Sequence, residues 1–233
     1  MKTRFFLGVQ HEKIKSRDTT CRVPTFIPRF FTNHHFCLTL QQKFKEMKRI
    51  AIFASGSGSN AENIAGYFEN STIARVEAIY CNNPKAPVIQ RAARLNIPLV
   101  LFDREKFYAE ETVLRDLQSR KIDLIVLAGF LWLVPGNLTR AFSGRIVNIH
   151  PALLPKFGGK GMYGMAVHEA VIEAGEKESG ITIHLIDEVY DRGKILLQVK
   201  CPVMPGDTPE ALAERVHQLE YEYYPKAIEQ LLG

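Results

Sequence analysis

The sequence predicts an α/β protein with a doubly wound, mostly parallel sheet and helices on both faces. Three observations carry this: short β-branched runs alternate with helical patterns, several of the runs are almost continuously apolar, and a glycine-rich turn follows the first of them. Continuous apolarity fits strands covered on both sides, because a strand with one wet face alternates instead.

Taken in order, the first strand is RIAIFAS (49–55), followed by a helix from Asn60. RVEAIYC (75–81) leads into a helical pattern through Arg94, and IPLVLF (97–102) into one over 106–119. DLIVLAG (123–129) and RIVNIH (145–150) follow as buried strands. After Pro155 comes a loose segment, KFGGKGMYG, then a helix over 164–175 and two strands, GITIHLID (180–187) and KILLQVKCPV (194–203). Asp207 or Thr208 with Pro209 is a helix-start signal for a long amphipathic helix that runs to about Leu232.

Composition narrows the function classes. Residues 1–46 hold nine Lys or Arg against three Asp or Glu, so the net charge of +5 leaves the rest of the chain one unit negative. A near-neutral body has no basic field for nucleic acid. The first 46 residues show neither helical nor strand periodicity and read as a disordered basic leader or a mis-assigned start, with 47–233 as one domain. No apolar run is long enough to span a membrane. Cys21, Cys37, Cys81 and Cys201 lie far apart without paired spacing, which argues against a disulfide scaffold or zinc site and for a reducing cytoplasm.

Two stretches carry chemistry. SGSGSNAENI (55–64) is a glycine-rich turn entering a helix, where backbone N–H groups favour an anion. Gly56 to Ala61 also fits the degenerate dinucleotide fingerprint, but the second strand ends in Asn82 and Asn83 rather than a ribose-binding acid, so a phosphomonoester on Gly58, Ser59 and Asn60 is the better reading. In VNIHPALLP, Asn148 and His150 stand two apart at a strand's carboxyl end, so both face one cleft. An amide can steady a developing oxyanion and an imidazole can move a proton. The turn after Leu185 offers Asp187, Glu188 and Asp191, any of which could raise the imidazole pKa and hold a water, with Gly193 letting the chain reverse. No nucleophile elbow, cysteine signature or metal motif is present, so neither covalent catalysis nor a metal is expected.

IAIFASGSGSN, IVLAGFLWLVP (125–135), IVNIHPALLPKF (146–157), ITIHLIDEVYDRGKILLQ (181–198) and ALAERVHQLEYEYYP resemble, in that order, the phosphoribosylglycinamide formyltransferases, folate-dependent enzymes of purine biosynthesis. The resemblance spans 47–233. It implies transfer of a formyl group from N10-formyltetrahydrofolate to the primary amine of glycinamide ribonucleotide on the way to IMP. It further implies Asn148 as oxyanion donor, His150 as general acid, and Asp191 as the carboxylate that elevates the histidine pKa. Gly58, Ser59, Asn60, His217 and Glu220 would hold glycinamide ribonucleotide. Lys106, Leu131, Trp132, Leu133, Val134, Asn148 and Asp187-Glu188-Val189-Tyr190-Asp191 would line the folate site. Small-molecule substrates, no nucleic acid, no membrane and no metal are implied, with monomer or homodimer left open. The family's common DGG reads Asp191-Arg192-Gly193 here, and KFGGKGMYGMAVHEAV is longer than its equivalent in some relatives. A formyltetrahydrofolate hydrolase, a methionyl-tRNA formyltransferase and a binding protein without turnover are the competing readings.

Overall fold

A computed structural model describes residues 46–187 and 191–233 of the chain. The basic leader, apart from Glu46, lies outside these residues, as do Glu188, Val189 and Tyr190.

The strands are β1 (Lys48–Ala54), β2 (Ala74–Cys81), β3 (Leu99–Leu101), β4 (Leu124–Leu127), β5 (Ile146–His150), β6 (Glu178–Leu185) and β7 (Ile195–Pro202). They form one sheet in the order β3-β2-β1-β4-β5-β6-β7. Pairing is parallel from β3 across to β5 and antiparallel for β5 with β6 and β6 with β7. The helices are α1 (Ser59–Phe68), α2 (Val88–Arg94), α3 (Arg104–Tyr108), α4 (Thr112–Ser119), α5 (Gly136–Ala141), α6 (Met165–Glu173) and α7 (Pro209–Leu232).

Side-chain alternation along β1 shows why its sequence is apolar throughout. Ile50, Ile52 and Ala54 enter a core beneath α1 and α7, while Ala51 and Phe53 enter a second core with Phe107, Leu117 and Leu138. Each residue is buried whichever way it points, so strand polarity cannot alternate.

Two segments depart from the periodicity. The helix expected over 106–119 is two helices, divided where Glu111 adopts a left-handed φ of 54°. α5 was not expected; at six residues it is too short to display a helical stripe.

The chain builds β1 to β3 outward on one side and then crosses to β4 and β5 on the other. The reversal opens a crevice beyond the carboxyl ends of β1 and β4, the usual ligand position in such sheets. The Ser55 hydroxyl fastens its two lips, accepting from the Leu131 N–H at 3.1 Å.

Candidate active site

A cavity of about 720 Å³ occupies this crevice, lined from Gly56 to Asn60, from Ala128 to Leu131, by Asn148 and His150, by the loop from Gly159 to Met165, and by His168, Asp191, His217 and Glu220. Sequence position does not predict this gathering: α1, β5, the β6–β7 turn and α7 each supply one edge.

The phosphate-type loop is set by geometry at Gly58, which has a φ of 74° and precedes the first turn of α1. A Cβ there would overlap Val88, so both conformation and contact demand glycine. Gly58 supplies no side-chain cap, and apart from a long 3.5 Å bond from the Ser59 N–H to the Ser57 hydroxyl the first N–H groups of α1 are left for an anion. Arg91 steadies the loop by donating to the Ser57 carbonyl at 2.8 Å.

Behind it, Asn60 Nδ2 donates to Glu220 Oε2 at 2.7 Å, joining α1 to α7. Glu220 is buried, and burial raises its pKa despite the Asn60 bond and the His217 charge. One turn on, the Tyr224 hydroxyl reaches the carbonyl oxygens of Leu127 (2.9 Å) and Val147 (3.1 Å), fixing α7 against β4 and β5. His217 lies 3.9 Å from Glu220 and is half exposed at the rim.

Asn148 and His150 both face the cavity from β5. The antiparallel register puts His184 opposite Asn148 and Thr182 opposite His150. His184 Nδ1 donates to the Leu185 carbonyl at 3.0 Å, so its Nε2 accepts from Asn148 Nδ2 at 3.2 Å. One amide hydrogen is thereby committed and the second remains for a ligand oxygen. Thr182 accepts from the Leu154 N–H at 3.0 Å and donates to the Ala152 carbonyl at 2.6 Å, holding the loop after His150.

Asp191 lies between the two imidazoles, 3.7 Å from His150 Nδ1 and 3.6 Å from His184 Nε2, and accepts from the Gly159 N–H at 2.8 Å. Burial pushes its carboxyl up, but the Gly159 N–H and His150 hold it below the usual carboxylate range, with no bond from the His184 Nε2, which is already an acceptor. His150 Nε2 donates to the Phe157 carbonyl at 2.7 Å. Burial pushes the His150 pKa below the ordinary imidazole value, and the Asp191 charge only partly opposes it. The expectation of an imidazole lifted by a carboxylate is therefore corrected. The carboxylate acts in the expected direction, but desolvation outweighs it.

Other expected residues sit elsewhere. Leu131 is exposed and lines the cavity, whereas Trp132, Leu133 and Val134 do not. Trp132 belongs to an aromatic cluster with Phe102, Phe107, Tyr108 and Phe130, and Val134 is core. The Arg104 guanidinium lies 4.9 Å from the Trp132 ring centroid. Lys106 does not reach the cavity; its ammonium is 3.7 Å from Asp103, whose side chain also caps α3. Asp187 is exposed and outside the lining, while Glu188, Val189 and Tyr190 fall outside the described residues. His184 was missed from the sequence. Its signal was there: Thr182 and His184, two apart in an apolar strand, mirror Asn148 and His150.

Residues 48–228 match the formyl transferase family. A phosphoribosylglycinamide formyltransferase of Bacillus subtilis (strain 168) is 39% identical over 192 residues, covering 80% of this chain and 96% of that protein. The chain belongs to the phosphoribosylglycinamide formyltransferase family. The structure of glycinamide ribonucleotide transformylase 1 from Geobacillus kaustophilus superposes with a TM-score of 0.73 at 43% identity, covering 80% of this chain and all of that one. A chloroplastic phosphoribosylglycinamide formyltransferase of Vigna unguiculata is 42% identical over 189 residues, and there the chain spans only 61% of the relative's length. Among the described residues, no cluster of potential metal ligands occurs and no helix is long and apolar enough to cross a membrane.

Proposed function

We propose that the protein transfers a formyl group from N10-formyltetrahydrofolate to the primary amine of glycinamide ribonucleotide, in purine biosynthesis. One observation carries the reading: an anion-ready helix N-terminus and an Asn–His–Asp group line a single cavity. A phosphorylated acceptor can thus be held at one end while its amine reacts at the other.

The folate supplies the formyl group, carried on N10. Leu131 gives its heterocycle an exposed apolar wall, and the uncommitted Asn148 N–H is available to its formyl oxygen. Gly58, Ser59 and Asn60 hold the acceptor phosphate, with Glu220 and His217 beside the sugar. As the amine adds to the formyl carbon, Asn148 donates to the developing oxyanion. The released amine proton passes to His150 Nδ1, whose lone pair lies 3.7 Å from the Asp191 carboxylate. His150 so charged is paired with Asp191, and it returns the proton to the departing N10. The proposed setting is the cytoplasm, in keeping with Cys81 and Cys201 buried as free thiols.

The test is release of tetrahydrofolate by the full chain with and without glycinamide ribonucleotide. Release that requires the amine supports transfer; release without it indicates a hydrolase, and none indicates a binding protein. Asn148→Ala should lose on the order of 10²–10³ in kcat while melting normally, the usual effect of removing an oxyanion donor. A loss under tenfold removes Asn148 from that role.

A further inference from the structure

The proposed chemistry makes no use of His168. It stands on α6, is only 3% exposed, and lines the same cavity. Its Nδ1 is buried without a hydrogen-bond partner, one of four such side-chain atoms among the described residues. A second is Asn60 Oδ1, on the rim of the phosphate loop. Buried polar atoms without partners are uncommon in native structures, and an unpaired Nδ1 constrains which ring nitrogen carries the hydrogen.

The ring is uncharged where it stands. Burial first, then the neighbouring His217 and His150, lower its pKa to about 4, so the imidazole is neutral at physiological pH. A neutral imidazole carries one N–H and one lone pair. An orphaned buried N–H is rarer and costlier than an orphaned acceptor, so the lone pair belongs on the enclosed Nδ1. Nε2, which is not among the buried unpartnered atoms of this cavity-lining residue, then carries the hydrogen.

We infer that His168 is a binding residue for the acceptor, donating from Nε2 to an uncharged oxygen in the stretch between phosphate and amine. Three facts select that stretch. His217 and Glu220, which border it, belong to α7, against which α6 packs. The phosphate end already has the α1 N–H groups, and the reacting end has Asn148 and His150. A neutral donor matches a sugar hydroxyl or a carboxamide oxygen without competing for the dianion. The inference rests on the functional reading above.

The experiment compares full-length wild type, His168→Leu and His168→Gln by steady-state kinetics with glycinamide ribonucleotide and N10-formyltetrahydrofolate. Removing one neutral hydrogen bond should raise the acceptor KM about tenfold in His168→Leu, with the folate KM within about twofold. His168→Gln keeps an N–H donor and should recover most of that loss. A 2′-deoxy acceptor identifies the bonded oxygen: wild type and His168→Leu converge if it is the 2′-hydroxyl, and stay apart if it is another oxygen of the stretch. Because His168 is buried, wild-type protein with ¹⁵N-labelled histidine gives a second reading in which its imidazole signals should shift on saturation with acceptor. Unmoved signals, or an unchanged acceptor KM in folded His168→Leu, overturn the inference while the functional reading stands. Absence of amine-dependent turnover in wild type overturns both.

Discussion

At the scale of single residues, the site depends on how burial and charge compete at His150. Its environment depresses the imidazole pKa, with Asp191 as the main opposing influence. Replacing Asp191 with Asn removes that opposition and leaves desolvation unchecked, so the His150 pKa should fall further. The limb of the kcat/KM profile that tracks His150 should move to lower pH in Asp191→Asn, whichever protonation state does the work. A limb that stays in place would detach Asp191 from His150. The pair Asn148 and His150 was legible because two polar residues alternate in an otherwise apolar strand. His184 obeys the same rule, but a sequence does not state strand register. Only the antiparallel pairing of β5 with β6 reveals that His184 fixes the amide of Asn148.

At the scale of elements, the strands were readable because burial on both sheet faces leaves unbroken apolar runs such as LIVL in β4. The division between α3 and α4 was not, since Glu111 adopts its left-handed conformation without the glycine or asparagine that usually signals one. Gly58 is the opposite case, a residue whose type is dictated by its place. In Gly58→Ala the left-handed backbone and the overlap with Val88 would together cost about 2–4 kcal/mol. The helix start carries the anion site, so the acceptor KM should rise along with the loss of stability. Thermal melts and acceptor KM measured on one preparation check both. A normal melting temperature in Gly58→Ala would show that the loop relaxes away from Val88 freely.

At the scale of the whole molecule, one cavity unites groups whose ionisation opposes folding in different pH ranges. His168 titrates near 4 in the folded protein and near its ordinary 6.5 when unfolded. Between those values the unfolded chain binds a proton that the folded chain refuses, so stability from this group is complete above about 6.5 and is lost as pH falls toward 4. The loss is at most about 3 kcal/mol. His150, also depressed, adds to it in the same direction. Glu220 works against it, because a carboxyl with a raised folded pKa favours the folded state as pH falls. Asp191 enters once pH falls through the ordinary carboxylate value of 3.8, from where its depressed pKa takes stability away on further acidification. The comparison of wild type with His168→Gln isolates the single group, since glutamine does not titrate. Urea midpoints at pH 7.5 and pH 4.5 should show a smaller acid-induced drop in the variant. Equal drops would mean that His168 gains a proton in the folded state as easily as in the unfolded chain. The neutral Nε2–H donor assigned to it would then lose its electrostatic support.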